Sequence, residues 1–139
     1  MNSSKREPAV SGIFYPNNPT ELNENLESLF RDSNFGPGNL PPSSNNERIY
    51  GMVSPHAGYM YSGAVAAQGY YKLSSSKFES AIILGPNHYG LGSEVAIMNT
   101  GSWKTPIGEI EIDSEVAEEI HRNCDIVNID EQAHSRDHC

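Results

Sequence analysis

With 139 residues the chain has room for one domain, and an apolar share of 37% leaves it a small core. The net charge of −9 excludes a basic groove for nucleic acid, and no apolar run approaches the length that spans a bilayer. Residues 109–139 carry ten acids and two bases and so hold most of that charge, a pattern expected of a solvated acidic face. Two cysteines, Cys124 and Cys139, make no disulfide framework. The N-terminal "MNSSKREPAV" has no signal-peptide core, so a reducing cytoplasm is the expected location.

The first element in chain order is a helix over residues 17–30. Asn18 is its N-cap, Pro19 takes the first helical position and Glu21 is placed for a capping box. Leu22, Leu26, Leu29 and Phe30 then fall on one face. Residues 31–48 are dominated by breakers and read as a long surface loop. Ile49–Ser54 and Ala81–Leu84 are short apolar runs bounded by breakers, as expected of buried strands, with an alanine-rich helix over Ser62–Leu73 between them. Glu94–Met98 is a third strand. "TPIGEIEID" alternates apolar and acidic residues, so one of its faces is wet. Asp113 caps a helix that runs to about Asn123, with Val116, Ala117 and Ile120 inward, and Asp125–Ile129 is a weak strand candidate. Alternating strands and helices argue for an α/β layer structure, in which ligands bind beyond the carboxyl ends of the strands.

His56 and His88 stand at that end of the two apolar runs, in "SPHAGYMYSG" and "ILGPNHYG". Neutral imidazole is a common ligand for zinc, iron and copper. Pro55 and Pro86 stop each strand, while Gly58, Gly85 and Gly90 let backbone approach a ligand. Asn87 is placed to orient a substrate or a water beside His88. A lone histidine in such a place more often caps a strand or bonds a loop. Two in matching contexts weigh the metal or acid–base reading about evenly against that one. No H-x-x-x-H or C-x-x-C spacing supplies a third ligand. The tail adds His134, Asp137, His138 and Cys139, and an aspartate beside a histidine can hold a tautomer or accept a proton. His121 reads as a surface residue and Cys124 as packing. Tyr59, Tyr61, Tyr70 and Tyr71 read as an aromatic wall.

Five segments occur in order: "PAVSGIFYP", "SPHAGYMYSG", "ILGPNHYG", "WKTPIGEIEID" and "AHSRDH". Together they resemble the Memo family, also called AmmeMemoRadiSam system protein B, across nearly the whole chain. The resemblance implies an α/β fold similar to the class III extradiol (LigB-like) dioxygenases. It implies that His56 and His88 are pocket histidines able to share one divalent ion, and that Pro55, Gly58, Tyr59, Asn87 and Asp137 border the pocket. The family's Glu-His-Ser segment corresponds to Asp137-His138-Cys139, with Asp for Glu and Cys for Ser; it is similar to an Asp-His-Gly segment of LigB-like enzymes, which makes His138 a candidate acid–base group or a partner of a ligating residue. Residues 1–139 then correspond to the N-terminal portion of a single domain, as their abrupt end in "DEQAHSRDHC" also suggests. In the family's second half lie a further pocket histidine and a cysteine. Two functions follow from the resemblance: dioxygenase-like, metal-dependent redox chemistry, or a non-catalytic module binding a metal or a peptide with Tyr59, Tyr61 and Trp103 at its rim. The family's systematic name implies AMMECR1-like and radical SAM proteins as partners.

Overall fold

The computed structural model describes residues 4–42, 49–74 and 76–138. Its elements are β1 (Lys5–Arg6), α1 (Pro19–Arg31), α2 (Tyr59–Leu73), β2 (Ala96–Ile97), β3 (Ser102–Thr105), β4 (Gly108–Glu111), α3 (Ser114–Asn123), β5 (Asn128–Ile129) and a 3₁₀ turn (Gln132–His134). They fall into two compact units, Val10–Ala81 on one side and Met1–Ala9 with Ile82–Cys139 on the other. The mixed composition is that of an α/β protein. No helix among the described residues is long and apolar enough to cross a membrane.

The unit Val10–Ala81 is a helix pair. Asn18 caps α1 as its sequence predicts: its side-chain oxygen accepts from the N–H groups of Thr20 at 2.9 Å and Glu21 at 3.2 Å. Leu22 is the buried residue of the amphipathic face. Asp32 ends the helix and gathers the N–H groups of Asn34 and Phe35 at 2.8 and 2.7 Å, which turns the chain sharply. α2 starts three residues before the expected Ser62. The N–H of Tyr59, one of the donors a helix start leaves unpaired, is satisfied by the Phe14 carbonyl at 2.8 Å. α1 and α2 pack where Gly63 admits Leu29: a Cβ at Gly63 would stand 2.7 Å from Leu29 Cδ1.

The other unit holds two small sheets. Parallel β1–β3 pairing sets Lys5 opposite Ser102 and Arg6 opposite Trp103, and β4 returns antiparallel with Ile110 opposite Trp103. The short strand at residues 5–6 has no periodicity to announce it. Ser102 is 1% exposed and donates its hydroxyl to Glu109 at 2.5 Å. β2 and β5 form a parallel pair, within the spans expected at Glu94–Met98 and Asp125–Ile129. Asp113 caps α3 by accepting from the Val116 N–H at 3.1 Å. Asp130 then accepts from the Ser93 and Gln132 N–H groups at 2.8 and 2.9 Å, tying the turn after residue 90 to the chain's last segment.

Two expectations are corrected. Ile49–Ser54 and Ala81–Leu84 form no strand: both runs carry no ladder, and Val53 and Leu84 are 99% and 92% exposed. An apolar run becomes a buried strand only when neighbouring strands take its N–H and C=O groups and its two faces are covered. No described segment pairs with either run.

Candidate functional site

Asp137 is the centre of a cluster formed at the end of the chain. The 3₁₀ turn Gln132–His134 lowers the chain onto the turn at residues 87–90, and the Asp137 carboxylate meets the backbone and the ring of the same residue, His88. One oxygen accepts the His88 N–H at 2.7 Å. The other lies 2.9 Å from His88 Nδ1 and also accepts the His138 N–H at 2.8 Å. The residue is 6% exposed, so these donors replace water around a buried carboxylate. A carboxylate only accepts, so the hydrogen sits on His88 Nδ1, and in the neutral ring the lone pair sits on Nε2. The His138 ring stacks on that of His88 with centroids 4.1 Å apart and planes inclined by 29°, and its side chain is 13% exposed.

The turn that carries His88 is built by its neighbour. Asn87 Nδ2 donates to the Leu91 carbonyl at 2.9 Å, and Gly90 takes the left-handed conformation at φ 60°. The amide nitrogen of Asn87 is therefore spent on the turn rather than on a substrate. Its buried Oδ1 has no protein partner among the described residues.

A second layer supports the tail. Arg6 lies flat over the Trp103 ring, 4.0 Å from its centroid, donates from Nε to the His134 carbonyl at 2.8 Å, and donates from a terminal nitrogen to the Asp137 carbonyl. Trp103 donates its indole N–H to Met98 Sδ at 3.1 Å and tilts against the His134 ring at 5.7 Å. Trp103 is thus engaged in holding the tail. Burial pushes the His134 imidazole below the usual histidine value, and the Arg6 charge lowers it further.

His88, Asp137, His138 and Asn87 thus come together within one unit. His56, Pro55, Gly58 and Tyr59 belong to the other. There His56 and Pro55 are exposed on the segment leading into α2. Gly58 is the N-cap position, and the Tyr59 ring packs on Tyr15 at 5.3 Å, with burial raising its phenol above the usual value. Cys139 lies outside the described residues. His121 is exposed on α3, with Nδ1 2.8 Å from the Val127 carbonyl, and Cys124 is half-buried, both as expected. The sequence places Asp137 beside His138, whereas its carboxylate serves His88, 49 positions away. Arg6 went unread because its acceptors lie 128 and 131 positions along the chain, beyond any local pattern.

A family profile described as Memo-like protein matches residues 6–139. A MEMO1 family protein of Nitrosopumilus maritimus is 50% identical over 133 residues, covering 96% of this chain and 47% of its own length. One from Methanothermobacter thermautotrophicus is 47% identical, with 96% and 48% covered, and one from Sulfurisphaera tokodaii is 45% identical, with 96% and 48% covered. The chain spans about half the length of these curated relatives.

Proposed function

The chain belongs to the Memo-like protein family, and on that premise we propose that His88, and His56 as the family resemblance implies, supply imidazole ligands of a divalent metal site, to which His138, stacked on His88, adds a further imidazole. The observation that carries the proposal is the Asp137 carboxylate on His88 Nδ1. Imidazoles that bind metal almost always donate their other ring N–H to such a group, which fixes the tautomer and raises the basicity of the ligating nitrogen. The donors present fit a metal in that respect. When bound, the ion would supply Lewis acidity and, as iron or copper, redox capacity. The chain's own contribution is to hold a hydrogen at His88 Nδ1, direct the Nε2 lone pair and keep water from Asp137.

Both Asp137 oxygens accept N–H groups, so the proposed donor set is all imidazole. Imidazole donors suit zinc, iron and copper alike. The dioxygenase-like alternative keeps His56 and His88 as ligands and gives His138 the proton-handling role, for which its stacking on His88 is the supporting contact. Association with AMMECR1-like and radical SAM proteins, and a cytoplasmic location, remain parts of the proposal that co-purification and fractionation test.

Calorimetric titration with zinc and with copper decides between the two. His56→Ala, His88→Ala and His138→Ala should each remove most binding, and His121→Ala should not. Retained affinity in His138→Ala favours the proton-handling alternative. Unchanged affinity in both His56→Ala and His88→Ala defeats the metal proposal.

A further inference from the structure

We propose that Arg6 is a positioning residue for the His88–Asp137–His138 cluster: it clamps the segment 134–137 so that the Asp137 carboxylate stays on His88 Nδ1. The inference rests on the proposed metal role only where affinity is the readout.

The segment after the 3₁₀ turn is short, and it brings a buried carboxylate onto a residue 49 positions away. Ties to it come from Arg6. Its guanidinium donates to the carbonyls of His134 and Asp137, three residues apart, and so fixes the bend between them. A planar fork makes two such bonds from one rigid group, which a lysine ammonium on its flexible stem does not reproduce. The fork itself is aimed by two features. Parallel pairing sets Arg6 opposite Trp103, and the indole face beneath the guanidinium closes off alternative rotamers. Trp103 in turn is held by its N–H bond to Met98 Sδ, with Met98 4% exposed. A chain of contacts therefore runs from the buried Met98 through Trp103 and Arg6 to the Asp137 carbonyl, whose own side chain holds His88.

The arrangement assigns Arg6 a directional role that charge alone does not fill. Arg6 acts through the backbone of Asp137, so its removal should loosen the carboxylate–imidazole bond before it unfolds the unit.

The test is long-range ¹H–¹⁵N correlation of the imidazole nitrogens in metal-free protein at pH 8, with His88 identified by His88→Ala. Wild type should show His88 with hydrogen on Nδ1. Arg6→Met should shift His88 toward the mixed tautomers of a solvated ring and weaken zinc binding by roughly tenfold, the lower end of what loss of a supporting partner costs. Arg6→Lys should give an intermediate tautomer signal, and it decides the matter if Arg6→Met does not fold. Added methylguanidinium should restore the wild-type signal in Arg6→Ala. Asp113→Ala, which removes the α3 cap in the same unit, should lower the melting temperature and leave His88 unchanged. A wild-type His88 signal in folded Arg6→Met and Arg6→Lys overturns the proposal. If wild type binds no zinc, the metal reading fails, and the tautomer signal still judges Arg6.

Discussion

The turns that carry His56 and His88 are built from nearly the same letters and are held in different ways. Each follows an apolar run, each places proline before histidine, and each has glycine soon after. The turn at His56 is fixed chiefly by the helix that follows it, with the Tyr59 N–H on the Phe14 carbonyl as a longer tie. Ser62 Oγ donates to the Ala57 carbonyl at 3.1 Å, and the Gly58 carbonyl accepts the Tyr61 and Ser62 N–H groups as α2 begins. The turn at His88 is fixed from far away, by a carboxylate 49 residues on, which an arginine near the other end of the chain supports. The lesson is about robustness. A turn clamped by the helix that follows it survives wherever that helix forms. A turn clamped by a distant carboxylate depends on every tie between the two.

The largest effect should come from cutting that distant clamp. Asp137→Ala should weaken zinc binding by roughly 10–100-fold, the usual cost of losing the carboxylate behind a ligating histidine. Ser54→Ala, beside His56, should leave it unchanged, because among the described residues Ser54 Oγ bonds only the adjoining Pro55 carbonyl at 3.2 Å. Calorimetry on the two variants reads the contrast directly, and equal losses would erase it.

Glycines give the next contrast. Gly101 holds φ 95°, and a Cβ there would collide with the Ser4 carbonyl, so Gly101→Ala should destabilise its unit by about 2–3 kcal/mol and displace β1 with Arg6. Gly51, near His56, has nothing within 4 Å of a built Cβ, and Gly51→Ala should stay within about 0.5 kcal/mol of wild type. Urea denaturation followed by Trp103 fluorescence measures the first, and far-ultraviolet circular dichroism measures both.

Helix caps should respond alike in the two units. Asn18→Ala and Asp113→Ala each lose a side-chain acceptor at a helix start and should each cost about 1 kcal/mol. A much larger loss at Asp113 in thermal melts would mean that α3 carries the Asp137 cluster more directly than its contacts indicate.

The smallest expected effect is a pH slope. Burial, and then the Arg6 charge, hold the folded His134 imidazole below its unfolded value of 6.5. The unfolded chain therefore binds the proton more readily. The stability from a neutral His134 is present above that value and is lost as pH falls through the lower folded one. His134→Gln should flatten the fall in melting temperature just below that value. The fall near the carboxylate range should persist. There Asp130, held low first by the Ser93 N–H, and Glu109, held low first by Lys5, lose their partners as they protonate. An unaltered slope in His134→Gln would show that another group titrates there.

Local chemistry was enough to determine the helices, because each is specified by residues within a few positions of one another. Asn18 and Asp113 cap helices, Leu22 and Ala117 face inward, and the acidic alternation after Thr105 emerges as strand β4, exposed on both faces rather than wet on one. His88, Asp137 and His138 were also legible as chemical candidates, since only a few side chains can ligate or move protons at neutral pH. What the tertiary structure alone decided was who holds whom. Asp137 gathered the ring and N–H of distant His88 as well as the N–H of its neighbour His138, the Asn87 amide nitrogen was spent on its own turn, and Trp103 became the platform for Arg6. The runs at Ile49–Ser54 and Ala81–Leu84 make the same point in reverse. Their apolar letters satisfy the requirement for a buried strand, but burial and ladder pairing come from other segments, and no count of local residues contains those segments.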